Sequence, residues 1–367
     1  MRDSPMANPK RSRCDLLVTG GRLLDLESGS GSIDDAAVAI RGGLIEAVGH
    51  RADIEVAWVT ERVLDARGHV IAPGFVDAHV HLGAYLGAGQ SYARAVGPGP
   101  FCGGGRAEVV LPMIARMSSM RVPAELVCAV VRPVIAAMLR AGFTGVVDAG
   151  GPGVDGVVRA AMELGIRAAI GPTLADLWHD ERGRLVRQAD ADRLLAEAEA
   201  LVSRHDRVAH GRLRVVVSAV EAMGCSDELL SGISSLTARF DLPTHVHTNI
   251  SKATVAAHDA AFGVAATERL RKAGLLTPRC TAMHAGSLTD DDIAAFREGG
   301  VTVNYNPVGN AMLGFGITPG RSVRRLLDAG VRVVLGSDYA PSTVSTPFDL
   351  MRAALMAHVT SQPVTMA

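Results

Sequence analysis

Short apolar runs alternate with amphipathic segments from residue 73 onward, and this alternation constrains the fold more than any other feature. Eight runs read as strands, at residues 75–81, 144–148, 168–173, 213–219, 243–247, 281–284, 301–306 and 331–338. Segments with helical spacing lie between or after them, at 124–141, 155–165, 190–204, 227–239, 253–273, 290–299, 320–329 and 348–359. Strands that alternate with helices form a parallel sheet, and eight of them predict an α/β fold of the closed (β/α)₈, or TIM, barrel type.

The composition agrees with a barrel interior. Hydrophobic residues make up 48% of the 367 residues, but aromatic residues make up only 4%. Val, Ala, Leu and Ile must therefore fill the core, and branched aliphatic side chains dominate the interior of parallel barrels.

The N-terminal part of the chain follows a different pattern. Residues 1–13 are polar and basic, which predicts a disordered tail. Residues 14–72 contain short apolar runs separated by Gly and Asp, with a predicted turn at Gly20–Gly21 and a hairpin turn at Arg41–Gly43. We therefore predict a small β domain over 14–72, followed by a barrel domain over 73–367.

Side chains that can bind a metal end four of the predicted barrel strands: His79, His81, His245, His247, His284 and Asp338. Alternate residues of a strand face the same side, so the two histidines of the first strand point together. Functional residues of barrels lie at the C-terminal ends of the strands, and a divalent metal takes three or four nitrogen or oxygen ligands. A single strand-end histidine is more often a structural residue, and Asp338 alone could cap a turn. Their coincidence on four strands favours a metal site.

With these motifs, the chain resembles the amidohydrolase superfamily. Within it, the resemblance is to the branch of triazine hydrolases, cytosine and guanine deaminases, and S-adenosylhomocysteine/methylthioadenosine deaminases. The matching segments are Pro73–Leu82, Gly142–Asp148, Val220–Leu230, Leu242–Asn249, His284–Asp292, Asn304–Pro319 and Leu326–Asp338. The segment from Asn306 to Pro319 is the most specific to this branch.

The resemblance implies a role for each strand-end residue. The expected ligands of one Zn²⁺, with Fe²⁺ as the alternative, are His79, His81, His247 and Asp338. His284 is expected to hydrogen-bond the attacking water and stabilise the transition state, and Asp338 is expected to take the proton of that water. On the fifth strand we prefer His247 to His245, which lies one pleat deeper. Binuclear relatives use a fourth-strand lysine, and residues 212–221 contain none, so one metal is expected.

Two departures from the family pattern affect the expected function. The deaminases carry a glutamate three residues after the fifth-strand histidine, where this chain has Ile250 after His247 and Thr248 after His245. Ordinary aromatic deamination is therefore in doubt, while hydrolysis of an amide, amidine, guanidine or lactam stays open. The chain also ends at Ala367, before the strands with which relatives complete a small β-sandwich. We expect a sandwich formed largely from the N-terminal segment, and a homodimer contact at its open edge.

The expected enzyme is a mononuclear metal-dependent hydrolase that breaks a C–N bond, other than a peptide bond, of a small nitrogen-containing heterocycle. The alternatives are chlorohydrolase-type displacement and a non-catalytic binding protein of the same fold. Candidate substrate contacts are Tyr85, Trp178, His245, Asn249 and Asn306. The net charge of −1 argues against nucleic acid and membrane surfaces as partners. Five scattered cysteines without a CxxC pair favour a reduced, cytoplasmic location.

Overall fold

The computed structural model describes residues 11–25, 31–83, 120–180, 184–313, 319–338 and 346–360. The chain divides into two compact units, Met1–Gly74 and Phe75–Ala367. The boundary follows Gly74, because the first barrel strand begins at Phe75.

The first unit is built around a mixed sheet. Its elements are β1 Ser12–Arg13, β2 Leu16–Asp25, β3 Gly31–Arg41, β4 Leu44–His50, α1 Arg51–Ala57, β5 Trp58–Val59, β6 Val63–Asp65 and β7 Val70–Ile71. The order in the sheet is β4-β3-β2-β6, and β7 also pairs with β2. Buried Leu17, Ala37, Ala39 and Ile54 form a small core with Trp58 packed against it. The described strands of this unit show one five-stranded sheet beside a β1–β5 pair, so the sandwich stays a prediction.

The hairpin turn of this unit is confirmed, but two other local predictions are wrong. Gly42 and Gly43, with φ of 59° and 77°, join β3 to β4, as the sequence predicted. No turn occurs at Gly20–Gly21: strand β2 runs through it, and its register against β3 shifts there, since glycine tolerates a bulge. The disordered tail cannot include β1, because Ser12 and Arg13 pair in parallel with Trp58 and Val59. Residues 1–10 lie outside the described residues.

The second unit contains the eight predicted strands in parallel. They are β8 Phe75–Val80, β9 Phe143–Asp148, β10 Arg167–Ile170 with β11 Thr173–Leu174, β14 Leu213–Val215 with β15 Val217–Ala219, β16 Thr244–Thr248, β17 Cys280–His284, β18 Thr302–Tyr305 and β19 Arg332–Leu335. The third and fourth barrel strands are each interrupted: β10 pairs with β14, and β11 pairs with β15. Every other neighbour follows in chain order, so β8 and β19 are the two ends of the row.

The barrel closes between its first and eighth strands. Val80 forms a parallel bridge with Asp338, and the backbone N–H of Asp338 donates to the His79 carbonyl at 2.8 Å. Asp77, fully buried, accepts hydrogen bonds from the backbone N–H of Ser337 at 3.0 Å and from its hydroxyl at 2.5 Å. Closure therefore brings the residues that end the first strand beside Asp338. These pairings confirm the α/β barrel.

Helices cover the outside of the barrel, and the described ones are α2 Ala124–Ala141, α3 Val154–Leu164, α4 Ala191–His205, α5 Asp227–Phe240, α6 Lys252–Phe262, α7 Ala266–Lys272, α8 Asp290–Gly299, α9 Pro307–Leu313, α10 Pro319–Asp328 and α11 Pro347–Thr360. The single helix predicted at 253–273 is wrong. Gly263, with φ of 66°, ends α6 in the left-handed conformation, so α7 starts anew. No helix within the described ranges has the length and apolarity that crossing a membrane requires.

Candidate metal centre

The first strand delivers two histidines to the C-terminal mouth of the barrel. Asp77, His79 and His81 alternate along β8 and the residue after it, and all three are buried. Asp77 accepts the backbone N–H of His79 at 3.2 Å, which shapes the strand end just before the first histidine. Beyond it, the N–H of Leu82 donates to the Asp148 carboxylate on the second strand at 2.8 Å. Hydrogen bonds just before and just after the two histidines therefore hold the end of the strand that carries them.

The fifth, sixth and eighth strands deliver the remaining candidates. His247 lies opposite Met283 in the parallel register, and Thr248 lies opposite His284, so His284 stands one position beyond the register partner of His247 on the neighbouring strand. His284 and Asp338 have φ of 66° and 61°, a left-handed conformation that is uncommon for residues other than glycine. Such backbone strain costs on the order of 1–3 kcal/mol and is typical of functional sites.

These side chains converge on one point. Two groups of three, His79–His247–His284 and His79–His81–Asp338, each place one ligand atom per residue within 4.8 Å of the others. Oδ1 of Asp338 lies 3.3 Å from Nε2 of His79 and 3.6 Å from Nε2 of His81. The ring centroids of His79 and His247 are 5.0 Å apart, and those of His247 and His284 are 5.4 Å apart. His79 therefore stands at the centre of a five-residue cluster.

Two of the imidazoles are oriented by a hydrogen bond on their other nitrogen. His81 Nδ1 donates to the Gly150 carbonyl at 3.2 Å, and His284 Nδ1 donates to Oδ1 of Asn310 at 2.7 Å. When Nδ1 carries the hydrogen, the lone pair of the neutral ring lies on Nε2. Hydrogen bonds of this kind fix the tautomer and the ring orientation of metal-binding histidines.

Burial favours the neutral form of three histidines of the cluster, His79, His81 and His247. Desolvation lowers the pKa of His79 to about 4, even though the nearby Asp338 carboxylate acts against this shift. Desolvation also lowers the pKa of His81, and it lowers that of His247 well below its usual value. For Asp338, desolvation raises the pKa, but the hydrogen bond from His79 and the favourable electrostatic interactions with the surrounding imidazoles outweigh it and leave the pKa at about 2. Neutral imidazoles and an ionised carboxylate are the protonation states that bind a metal.

The polar atoms of the cluster fit a divalent cation. Nδ1 of His79, both ring nitrogens of His247 and Oδ2 of Asp338 are buried and have no hydrogen-bond partner among the described residues. Buried polar groups are normally hydrogen-bonded, and leaving one unpaired costs about 1–3 kcal/mol. A nitrogen and oxygen donor set that lacks protein partners is the set that Zn²⁺ binds.

His245, Asn249 and Asn306 occupy three different places around the cluster. His245 lies one pleat below His247, its ring centroid is 6.4 Å from that of His79, and desolvation lowers its pKa to about 3. Asn249 accepts a hydrogen bond from the Thr248 hydroxyl at 2.6 Å and donates to the Ser287 carbonyl at 3.4 Å, which ties the fifth- and sixth-strand loops together. Asn306 is fully buried, with Nδ2 at 3.5 Å from Nδ1 of His284.

Trp178 is not brought to the cluster by the described contacts. It lies in a short hairpin, Leu177–His179 paired with Leu185–Arg187, and packs against Ala175, Val220 and Met223. It also lines a cavity of about 750 Å³ beside the second and third barrel strands, whose lining includes none of the cluster residues. Tyr85 lies outside the described residues. The substrate-contact roles of both residues stay predictions.

Ile250 occupies the position three residues after His247. It is 4% exposed, and its carbonyl lies against Gly286, where an added Cβ would come within 2.5 Å of it. An isoleucine has no proton to give, so the cluster contains no acid at this position.

Sequence reasoning missed two residues that support the cluster, Asp77 and Asn310. Asp77 precedes His79 by two positions, so the alternation that paired the histidines also placed this carboxylate on their face. Asn310 follows Asn306 by four positions, which is one turn of a helix. The sequence signal was present in both cases, but the residue contacted by each side chain depends on the tertiary structure.

Comparisons with known proteins agree with this geometry. The sequence model of the amidohydrolase family matches residues 70–366. The 5′-deoxyadenosine deaminase of Methanosarcina mazei is 26% identical over 345 residues, which cover 94% of this chain and 74% of that protein. The zinc-bound adenosine deaminase of Xanthomonas campestris superposes with a TM-score of 0.78 at 26% identity, over 95% of this chain and 75% of that one.

A further solved structure supports the fold alone. The atrazine chlorohydrolase of Arthrobacter aurescens TC1, determined with zinc, superposes with a TM-score of 0.79 at 22% identity, over 95% of this chain and 78% of that one. A triazine hydrolase and deaminases therefore share this architecture, as the resemblance predicted. With a family match over most of its length and a buried cluster that could hold a metal ion, the chain belongs to the amidohydrolase family and is a metal-dependent hydrolase.

Proposed function

We propose that this chain uses one divalent metal and water to break a C–N bond of a small, nitrogen-containing heterocycle. The observation that carries the proposal is the convergence of His79, His81, His247, His284 and Asp338 at one barrel mouth, with ligand atoms within 4.8 Å of one another in two overlapping groups. A binding protein without catalysis has no use for this full set. The non-catalytic alternative is therefore the weaker one.

Each residue has a separate part in the proposed reaction. His79, His81, His247 and Asp338 are the proposed ligands. A divalent metal held by these residues would lower the pKa of a water molecule from about 15.7 to about 7 and so would supply hydroxide at neutral pH. Asp338, ionised and buried, accepts the proton of the attacking water and passes it to the leaving group.

His284 is the proposed catalytic partner of Asp338. Nδ1 of His284 donates a hydrogen bond to Asn310, which leaves the lone pair on Nε2. This lone pair accepts a hydrogen bond from the attacking water. This interaction holds the water at the electrophilic sp² carbon, and such positioning reduces the entropic part of the barrier.

A single metal ion is proposed, because the fourth strand supplies no second-site ligand. On the fourth strand, Ser218 lies opposite His245 in the parallel register, and the Ser218 hydroxyl has no hydrogen-bond partner within the described structure. The strand segments Leu213–Val215 and Val217–Ala219 contain no lysine, the residue with which binuclear relatives bridge two metals. Zinc is the first metal to test, since the Xanthomonas campestris adenosine deaminase was determined with it. Iron(II) is the alternative for a site with these ligands.

Aminopurine nucleosides are the first substrate class to test. The Methanosarcina mazei relative is named for deamination of 5′-deoxyadenosine, and the Xanthomonas campestris structure for deamination of adenosine. Ile250 argues for substrates that need no ring protonation from that position, such as cyclic amides or amidines. The same residue favours a second candidate, displacement of a non-nitrogen leaving group such as chloride, which departs as an anion and, unlike an amine, needs no proton to leave.

The deciding experiment combines metal analysis with a substrate screen. Elemental analysis of the purified chain after incubation with Zn²⁺ or Fe²⁺ should find one metal per chain. The loaded protein is then tested with adenosine, 5′-deoxyadenosine, guanine, cytosine, hydantoins and a chlorotriazine for ammonia release, ring opening and chloride release. No bound metal under either condition would refute both catalytic candidates, and two metals per chain would refute the single-metal site.

Three variants complete this experiment. His247→Gln should lower the metal content sharply, whereas His258→Gln should leave it unchanged. His258 is equally buried but lies on α6 beside Arg269, away from the cluster. Asp338→Asn should abolish turnover, because an amide cannot accept the proton of water. Turnover equal to that of the unaltered chain would exclude Asp338 as the proton acceptor.

The expected homodimer and cytoplasmic location also stay proposals. Leu44 and Ile45, on the edge strand β4, are 65% and 67% exposed, which supports a partner at this edge. Light scattering of the eluting peak in size-exclusion chromatography measures the molar mass directly, and a mass of one chain would contradict the dimer.

A further inference from the structure

Helix α9 begins directly after the seventh strand and contacts two members of the metal-binding cluster. Oδ1 of Asn310 lies 2.7 Å from Nδ1 of His284. One residue earlier, Gly309 packs against Asp338 so closely that an added Cβ would lie within 2.5 Å of the Asp338 Cβ atom. Asn310 is 2% exposed and Asn306 is fully buried. This short segment therefore lies against both residues to which we assign proton transfer and water positioning.

Two asparagines approach the same nitrogen of His284 and favour opposite tautomers. Asn310 presents its oxygen, which can only accept, so it requires a hydrogen on Nδ1. Asn306 presents its Nδ2, which can only donate, so it would require a lone pair on Nδ1. The Asn310 contact is 2.7 Å long, whereas the Asn306 contact is 3.5 Å long, at the limit of a hydrogen bond. The shorter contact decides the tautomer in favour of Nδ1–H.

The backbone conformation of His284 makes the contact with Asn310 more important for the direction of the His284 side chain. His284 and Ala285 have φ of 66° and 46°, so the strand geometry has already ended where the side chain leaves the barrel wall. A side chain on a strained turn is not aimed by strand alternation, which fixes direction only within the extended ladder. A hydrogen bond from a residue on another element can supply that direction instead.

We propose that Asn310 is a positioning residue that fixes the Nδ1–H tautomer of His284 and directs its Nε2 lone pair toward His79 and His247. The structural part of this inference stands on the geometry of the described residues. Its catalytic consequence rests on the proposed function, since it assumes that His284 receives a hydrogen bond from the attacking water. Asn310 touches no substrate in this scheme and acts only through His284.

Nitrogen-15 NMR of the histidine side chains tests the structural part without turnover. The full chain, labelled at the imidazole nitrogens, is measured with and without added Zn²⁺, and the His284 signals are assigned by their loss in His284→Gln. In the unaltered chain, Nδ1 of His284 should show the shift of a protonated nitrogen. Asn310→Ala should produce a mixture of tautomers, whereas Asn310→Asp should retain Nδ1–H, because a carboxylate also accepts. Nε2–H in the unaltered chain, or no change in Asn310→Ala, would overturn the proposal.

Kinetics test the catalytic consequence once a substrate has been found. Loss of a hydrogen bond behind a metal-site residue reduces activity by about 10–100-fold, so Asn310→Ala should lower kcat by that factor with little change in KM. Asn310→Asp should restore most of it. Asn304→Ala is the matched control, because Asn304 is also fully buried but its side-chain polar atoms have no hydrogen-bond partner within the described residues. An equal kcat loss in Asn304→Ala, or no rescue by Asn310→Asp, would refute positioning through the hydrogen bond.

The two parts can fail separately. If no substrate is turned over and no metal binds, the proposed function fails, yet the tautomer of His284 is still measured. If Asn310→Ala does not fold, Asn310→Asp and the tautomer of the unaltered chain still decide the structural claim.

Discussion

Replacement of Arg269 by Met should destabilise the barrel domain strongly. Arg269 extends from α7 to the loop after the fourth strand and is 3% exposed. Its guanidinium donates to the carbonyls of Ala222 at 2.8 Å and Cys225 at 2.7 Å, and it lies 3.6 Å from the centroid of the Phe262 ring. It also pairs with Asp227, whose side chain is 81% exposed. Methionine keeps the apolar stem but removes every donor.

The expected loss of stability in Arg269→Met follows from the groups that lose the guanidinium as their partner. Two buried carbonyls lose their partners, at about 1–3 kcal/mol each. The contact of the cation with the Phe262 ring adds about 1 kcal/mol. The pair with Asp227 adds little, because water screens an exposed carboxylate. We therefore expect Arg269→Met to lower the free energy of unfolding by about 3–7 kcal/mol.

Urea unfolding, followed by tryptophan fluorescence and by circular dichroism, measures this difference. Arg271→Met is the matched control, since Arg271 lies on the same helix but is 61% exposed and pairs only with Glu268 among the described residues. Its unfolding midpoint should stay close to that of the unaltered chain. Arg269→Lys should fall between the two, because a lysine keeps the charge but cannot supply the planar fork of donors. An Arg269→Met midpoint as high as that of Arg271→Met would refute the reasoning.

Two further substitutions give predictions, the first at the candidate metal centre and the second at a buried carboxyl group near Arg269. Gly309→Ala should weaken metal binding at least tenfold, because the new Cβ must displace Asp338. Gly49→Ala is the control: its new Cβ meets only Ile54, at 3.7 Å, so this variant should bind metal normally. Isothermal titration with Zn²⁺ compares the two variants. Glu221→Gln should change how the stability of the chain depends on pH. Desolvation raises the pKa of the buried Glu221 to about 8, and this effect exceeds those of the Met223 N–H and the charge of Arg269, which lower the pKa. The unfolded carboxyl ionises first, so the unaltered chain should lose stability as pH rises from about 4.5 to about 8, by at most about 5 kcal/mol. Denaturation at pH 5 and pH 8 should show a smaller loss for Glu221→Gln, and equal losses would contradict the raised pKa.

The predicted barrel follows from properties that the local sequence carries. Eight apolar runs separated by helical segments leave few ways to bury every apolar face, and a parallel barrel is the arrangement that does so. Boundaries were less predictable. Leu16–Asp25 remains one strand through Gly20 because pairing with Gly31–Arg41 overrides the local turn preference of two glycines. Gly263 divides the helix predicted at 253–273, although the apolar spacing continues on both sides of it.

The candidate site was also predictable in part. Two histidines at alternate positions of one strand share a face, and the rule that barrel function lies at strand C-termini selects His247, His284 and Asp338 as their partners. The hydrogen bonds behind them were not predictable, because Asp77 contacts Ser337 across 260 positions of sequence and Asn310 contacts His284 across 26. Long-range contacts of single polar side chains leave no periodic trace in the chain.

By itself, the sequence determined the alternation of strands and helices, the face shared by His79 and His81, and the absence of an acid at Ile250, since each depends on residue identity and local spacing. Only the tertiary structure decided that closure between Val80 and Asp338 brings the first and eighth strands together, and that Asn310 lies behind His284. The physical reason is that spacing sets the direction of a side chain along its own strand, whereas the distance between strands is set by how the whole barrel packs and closes.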